Sequence, residues 1–217
     1  MLPRSQEVVG RILILEIPIG LKKKEKLIAN AYLKANKNIE TVVAKKGMHK
    51  GEFRTRTVRI LAGKKSKETV HLENKIKLKL HLEKTYFSAR SAGERMRLAK
   101  QVKKGESVLV LFSGAGPFPL VFAKNTAARD IYGIEMNPLA HRYAVDNVEL
   151  NKVGDNTKLY LGDVRRVLPK LKRKFDRVAM PLPKTGESFL GLTLSKVKKN
   201  GLIHLYSFLH ENEIADY

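Results

Sequence analysis

Cysteine and tryptophan are missing from the 217 residues, and acidic side chains are scarce. Without cysteine the chain can form neither a disulfide nor a thiolate metal site, and it suits a reducing cytosol. Without tryptophan, and with seven tyrosines and eight phenylalanines, stacking against bases falls to a few Tyr and Phe rings. Only 21 Asp and Glu face 43 Lys and Arg, giving a formal net charge of +22 and a pI near 10.1. A thermophile's charged surface usually balances Lys with Glu, and this one does not. So large a cationic excess is the footprint of a polyanionic partner, nucleic acid first. An anionic membrane fits less well. The chain has no long apolar span and no signal-peptide pattern, and its basic residues are spread along its length rather than gathered on one amphipathic helix. The six histidines (49, 71, 81, 141, 204 and 210) show no metal-ligand spacing.

The first 83 residues read as a basic α+β module. Arg11–Ile17 is an apolar strand ended by Pro18, and Lys22–Lys34 sets Leu27, Ile28, Ala31 and Leu33 in a basic helical frame. Thr41–Ala44 is a short strand, and Lys45–Arg56, with Gly47 and Gly51, is a basic loop. Thr57–Ala62, Glu68–Leu72 and Ile76–Leu82 follow as short strands. A helix starts with Ser91 as its N-cap and Glu94 as the capping-box partner, and ends near Lys104-Gly105. From residue 84 to 217 strands then alternate with helices: Ser107–Phe112, Asp130–Glu135, Thr157–Gly162, Phe175–Met180 and Gly201–Phe208, with helices over Pro119–Asn125, Pro138–Leu150, near Val164–Leu171 and over Gly186–Lys198. That alternation makes a doubly wound parallel sheet.

Ser107–Pro119 carries the most information. A buried strand, Val108–Phe112, runs into a tight Gly114-x-Gly116 turn that opens a helix, and nineteen residues past Gly116 stands Glu135, at the end of the apolar run Ile131–Ile134. This is the nucleotide-binding half of a Rossmann-like fold: glycines admit the ligand to the backbone, and the acid accepts hydrogen bonds from two ribose hydroxyls. A dinucleotide site wants a third glycine to seat a pyrophosphate, and that position is Pro119. A ligand with a ribose and no pyrophosphate fits better, which points to S-adenosylmethionine. Ligands of open α/β sheets sit at the carboxyl ends of the strands, so Gly114, Glu135, Asp163 and the turn Pro181–Pro183 should converge on one crevice. Asp163 can accept from an adenine amine or cap the next helix, and the two are compatible.

Tyr86-Phe87-Ser88-Ala89-Arg90, Gly93-Glu94-Arg95, Phe112-Ser113-Gly114-Ala115-Gly116-Pro117-Phe118, Glu135-Met136-Asn137-Pro138, Asn147-x-x-x-Asn151, Gly162-Asp163-Val164-Arg165 and Leu182-Pro183-Lys184 follow the order and spacing of the Met-10+-like tRNA (guanine-37-N1)-methyltransferases of archaea and eukaryotes. Upstream, Gly51-Glu52-Phe53-Arg54 and Thr69–Glu73 resemble that family's small RNA-binding module. The resemblance covers nearly the whole chain, without the family's additional N-terminal tRNA-elbow domain. A sister family, the aminocarboxypropyltransferases of wyosine synthesis, typically lacks an arginine at the place of Arg90, has His-Leu where this chain has Pro117-Phe118, and lacks the Leu-Pro-Lys turn. On these three points the chain resembles the methyltransferases.

The resemblance implies a class I, Rossmann-like S-adenosylmethionine-dependent fold joined to the RNA-binding module, in a cytoplasmic, monomeric enzyme that acts on the tRNA anticodon stem-loop. It matches Glu94 to the base that takes the proton from guanine N1, Arg54 to the arginine on O6, and Pro183 to a proline shaping the turn beside the base. Arg90, Tyr86 and Lys184 match residues at the nucleotide site. Arg95, Glu135 and Asp163 match cofactor contacts, with Phe112, Gly114, Gly116, Met136, Val164 and Pro181 beside them. The chemistry agrees with these roles, because deprotonating a weakly acidic N1–H needs a carboxylate and a cation near O6. Glu94 nevertheless also reads as a capping-box carboxylate, and Arg54, Arg90 and Arg95 as phosphate-contacting cations. Two positions depart from the family: Val110 stands where an Asp is common, and Pro181 replaces the Asn that opens the Asn-Leu-Pro turn. Proline offers neither the amide nor the backbone N–H of that Asn, which leaves open an aminocarboxypropyltransferase or a catalytically weakened RNA-binding homologue. The family's sixth and seventh strands would lie beyond Tyr217, so a shortened or a minimal sheet is expected.

Overall fold

The structure, a computed structural model, describes residues 5–51, 53, 55–182 and 185–208. The chain divides into two compact units, residues 1–94 and 95–217.

In the first unit, β1 (Gln6–Val9) and β2 (Ile12–Leu15) form an antiparallel hairpin. A 3₁₀ turn (Ile19–Lys24) and α1 (Glu25–Ala35) cross over to β3 (Thr41–Lys50), parallel to β2, and β4 (Thr55–Gly63) returns antiparallel, giving the order β1-β2-β3-β4. The α1 residues Ile28 and Ala29 pack on Leu13, Leu15, Val42, Ala44 and Leu61. A separate hairpin joins β5 (Glu68–Glu73) and β6 (Ile76–His81). It is tied to the β1–β2 turn, where Gly10 N–H donates to His71 Nδ1 (3.1 Å) and Arg11 N–H to Thr69 Oγ1 (3.0 Å). Gly10 has φ +55°, and a Cβ there would lie 2.5 Å from the Val70 carbonyl oxygen, so only glycine fits.

Several expectations need correction here. Gln6–Val9 is a strand that the sequence reading missed, and the strand expected over Arg11–Ile17 is confined to Ile12–Leu15. The basic stretch from Lys45, expected as a loop, is strand as far as Lys50. The ladder slips between Lys46 and Lys50, and Gly47 at φ +81° lies within that slip, as a bulge that lets a glycine-containing strand continue. Ser91 closes a 3₁₀ turn, Ala89–Ser91, that is preceded by extended Ser88 (φ −127°, ψ 114°), and it stands directly before the helix that follows. That turn feeds α2 (Ala92–Ala99), which is shorter than expected.

The second unit is a five-stranded sheet with the order β11-β10-β7-β8-β9, every pairing parallel. Its strands are β7 (Ser107–Leu111), β8 (Asp130–Glu135), β9 (Thr157–Leu161), β10 (Phe175–Met180) and β11 (Val197–Leu205). The doubly wound sheet expected from the sequence is therefore present, with β7 buried throughout at its centre. The order in which strands are added reverses between β7 and β10, and such a switch point opens a ligand crevice at their carboxyl ends. The helices are α3 (Pro117–Asn125), α4 (Pro138–Asn151), α5 (Val164–Val167) and α6 (Leu190–Leu194). α3 begins two residues earlier than expected because Pro117 takes the first helical position after left-handed Gly116. The long helix expected over Gly186–Lys198 is a 3₁₀ turn plus the short α6, and β11 already starts at Val197. Thr193 and Ser195 hydroxyls donate back to the Phe189 and Leu192 carbonyls, which competes with helix continuation.

One face of the sheet buries Leu109, Leu111, Ile134, Phe175, Val178 and Met180 with α5 residue Val164. Toward the amino end of β7 a buried cation on β10 ties β11 to the segment that leads into β7. Arg177, 1% exposed, donates to Glu106 Oε2 (2.9 Å), the Gln101 carbonyl (2.7 Å) and His204 Nε2 (2.6 Å). Arginine has no acceptor, so His204 Nε2 is the acceptor in this contact.

Candidate functional site

The crevice is built around one carboxylate. Glu135, at the end of β8, accepts Gly114 N–H on Oε2 (2.7 Å) and Asn137 N–H on Oε1 (2.7 Å). It therefore fastens the glycine turn after β7 to the start of α4 and leaves its outer lone pairs for a ligand. Burial pushes the Glu135 carboxyl above its ordinary range, while the backbone N–H groups of Asn137, Gly114 and Met136 pull the other way. The turn is tightly wound: Phe112, Gly114 and Gly116 have φ of +56°, +59° and +87°. Positive φ at a non-glycine aromatic is strained, and Phe112 is held by an edge-on contact with Phe189, centroids 4.9 Å apart.

Two asparagines that the sequence reading quoted only as motif letters support this turn. Asn147, fully buried on α4, donates to the Ala115 carbonyl (3.0 Å), and Asn151 donates to the Asn147 carbonyl (2.7 Å). A third, Asn137, caps α4 by accepting from Leu139 and Ala140 N–H at 3.0 and 3.3 Å. Its place directly before a proline and a helix is the signal that could have found it.

Asp163 follows β9 and caps α5, its Oδ1 accepting Arg165 N–H at 2.8 Å, while its Oδ2 lies 3.6 Å from the Arg165 guanidinium. Val164 is buried and Met136 half-buried. Pro181 follows β10 and is half-buried, and the next backbone donor, Leu182 N–H, is already bonded to the Met180 carbonyl (2.8 Å). Arg95, 2% exposed, sets its guanidinium 5.9 Å from the Phe118 ring centroid, a cation–π contact that roots it beside α3. The strand ends thus present Gly114, Gly116, Glu135, Asp163 and Pro181 together, as the sequence suggested.

Tyr86, Arg90 and Glu94 belong to the first unit, on the approach to α2 and in its first turn. Tyr86 and Arg90 are exposed and Glu94 half-buried. Glu94 is the third residue of α2, three positions after Ser91, the spacing of a capping box. Arg54, Pro183 and Lys184 lie outside the described residues. Among the described residues no helix is long and apolar enough to cross a membrane.

A parallel sheet with a glycine turn after its central strand and a carboxylate at the end of the neighbouring strand defines a Rossmann-like, class I methyltransferase fold. Residues 69–216 match the TRM5/TYW2 methyltransferase domain, and residues 1–66 the TYW2 N-terminal domain. The chain belongs to the TRM5/TYW2 methyltransferase family. It is 41% identical over 212 residues to the tRNA (guanine(37)-N(1))-methyltransferase Trm5b of Pyrococcus abyssi, covering 98% of this chain and 62% of that one. It is 36% identical over 211 residues to the tRNA 4-demethylwyosine(37)-methyltransferase Taw21 of Saccharolobus solfataricus, covering 97% and 80%. Among solved structures, Methanocaldococcus jannaschii Trm5 in complex with adenosine superposes with a TM-score of 0.80 at 33% identity, covering 94% of this chain and 58% of that one. The chain thus spans less than two thirds of the length of the Pyrococcus relative.

Proposed function

We propose that the chain transfers a methyl group from S-adenosylmethionine to N1 of guanine 37, beside the anticodon of tRNA. The observation that carries this reading is Glu135 bridging the glycine turn and the α4 start in a chain of the TRM5/TYW2 family. Backbone N–H groups of Gly114, Asn137 and Met136 hold its carboxylate in place, so its remaining lone pairs are preset for a pair of ribose hydroxyls. The solved relative that holds adenosine supports a nucleoside in this crevice, and the absence of a third glycine argues against a pyrophosphate. Asp163 would receive the adenine amine on Oδ2, which it would share with the Arg165 guanidinium 3.6 Å away.

When bound, the cofactor supplies a sulfonium methyl, whose S–C bond breaks as the N1–C bond forms. Glu94 removes the N1 proton, and Arg54 stabilises the charge that grows on O6. Pro183 and Lys184 shape and charge the turn beside the base, and Tyr86 and Arg90 hold the nucleotide. The basic first unit, with Lys22, Lys23 and Lys24 in its 3₁₀ turn, neutralises phosphates of the anticodon stem-loop.

A second reading has a specific support: the chain spans 80% of Taw21, whose name gives 4-demethylwyosine at the same position as substrate. The deciding experiment incubates the full chain with labelled S-adenosylmethionine and two RNAs, one a tRNA transcript with guanine at position 37, the other a tRNA bearing 4-demethylwyosine there. Nucleoside mass spectrometry should return 1-methylguanosine from the first. Methylation confined to the second establishes the alternative substrate, and an aminocarboxypropyl adduct or no product overturns methyl transfer.

A further inference from the structure

Outside the crevice, the second unit has a cleft of about 530 Å³ between β9 and the connection from α5 to β10. It exists because α5 is a single turn, followed only by a 3₁₀ turn over Leu168–Lys170. So short a helix cannot roof the last strand of the sheet, and Tyr160 is left half-buried and Leu161 50% exposed. The floor is aromatic. Tyr160 stacks on Tyr132 with centroids 5.8 Å apart and planes within 14°. The rim is cationic: Lys170 and Lys172 are exposed, and Arg173 sets its guanidinium 4.8 Å over the Tyr132 ring while donating to the Tyr132 hydroxyl (2.8 Å). Lys158 adds its ammonium 5.7 Å from the same ring. None of the lining side chains is acidic.

Arg173 is balanced by Asp130 (3.0 Å), but an aromatic and apolar seat beside the exposed Lys170 and Lys172 is the chemistry that holds an unpaired nucleotide, the base on a ring face and the phosphate on lysine. We propose that this cleft is a second RNA-contact site on the catalytic unit, taking an unpaired nucleotide of the bound tRNA with its base against Tyr160 and Leu161 and its phosphates against Lys170 and Lys172. The proposal rests on tRNA being the substrate. Arg173 and Tyr132, already bonded to each other, serve as the rigid wall.

The test measures affinity of the full chain for a tRNA transcript across a salt series, together with S-adenosylmethionine affinity by calorimetry. The double variant Lys170→Glu, Lys172→Glu should bind the tRNA roughly tenfold or more weakly and flatten the log–log salt slope by about 2. Tyr160→Leu should lose roughly fivefold to a hundredfold, and Tyr160→Phe should restore binding because it keeps the ring. Cofactor affinity should stay unchanged in all three, which separates a contact site from damage to the fold. The control Lys103→Glu, Lys104→Glu makes the same charge change at exposed positions of the same unit. An equal loss in that control, or a Tyr160→Leu protein that binds like wild type, overturns the site. Wild-type protein without salt-dependent tRNA binding overturns the tRNA reading itself. Tyr160-dependent binding of polyglutamate that competes with tRNA at equal affinity would instead assign the cleft to an acidic protein partner.

Discussion

Replacing Glu135 by Gln tests the centre of the crevice with the smallest possible change. The wild-type carboxylate accepts one backbone N–H on each oxygen, from Gly114 and from Asn137, both at 2.7 Å. An amide can satisfy only one of them, and its NH₂ then points at the other N–H. Losing one hydrogen bond to a charged acceptor costs about 1.5–3 kcal/mol. For a chain of this size that corresponds to a melting-temperature drop of roughly 3–12 °C. Ribose binding suffers in addition, since one of two acceptors becomes a donor, and S-adenosylmethionine should bind about ten- to a hundredfold more weakly. The pH dependence supplies an independent check. Because burial raises the Glu135 pKa, the protonated form is favoured in the folded state relative to the unfolded one. The stability this group contributes is therefore fully present below the unfolded pKa and is lost as pH rises through the folded value. Cofactor binding runs the opposite way: it needs the carboxylate, so affinity should fall as pH drops through the raised pKa, starting at a higher pH than for an ordinary glutamate. The Gln variant should show neither trend. Calorimetric titration and thermal melts on both proteins across the acidic range measure all four quantities. A Gln variant with wild-type affinity, or a wild-type protein whose affinity holds flat to below the ordinary glutamate range, would refute the assignment of Glu135 to the ribose.

Four further outcomes are expected. Glu94→Gln should slow single-turnover methyl transfer by about 100- to 10,000-fold with cofactor affinity unchanged, and a variant of normal rate removes Glu94 from the mechanism. Asn147→Ala, which frees the fully buried Ala115 carbonyl from its 3.0 Å donor, should cost about 1–3 kcal/mol in denaturant unfolding and weaken cofactor binding with it; unchanged affinity would show that the glycine turn holds its shape alone. Arg177→Met leaves the half-buried Glu106 and the Gln101 carbonyl without their donor, and should destabilise by about 1–3 kcal/mol, read as a lower urea midpoint. Pro181→Asn restores the amide and N–H that proline lacks, and should raise methyl transfer to the preferred tRNA; an equal or lower rate means the turn after β10 is already adapted to proline.

The order of elements and the crevice were legible because local signals carry them. Alternating apolar strands and helices, two glycines with the acid Glu135 nineteen residues on, and Asp163 before a helix are short-range patterns. What stayed hidden depends on distant partners. Nothing near Arg177 announces that it will be buried, since Glu106 and the Gln101 carbonyl come from 71 and 76 residues upstream. The strand at Gln6–Val9 mixes polar with apolar residues and is recruited by pairing with Ile12–Leu15, a tertiary override of weak propensity. Asn147 was visible as a letter in a motif, yet its task, holding the Ala115 carbonyl, follows only once α4 is laid beside the glycine turn.

The two departures from the family pattern have different physical weights. Val110 is fully buried on β7, paired in register with Gly133 on one side and Ala179 on the other. Flanked by two of the smallest side chains, a valine fills space that a carboxylate would occupy only at the cost of desolvation, so this change favours the packing of the sheet centre. Pro181 sits at the rim. It supplies no donor, its neighbour Leu182 N–H is already committed to the Met180 carbonyl, and the Leu182 carbonyl to Gly186 N–H. The first departure concerns the stability of the scaffold beneath the glycine turn. The second lies at the carboxyl end of β10, on the rim of the crevice, and under the proposed function its effect should be sought in rate rather than in folding.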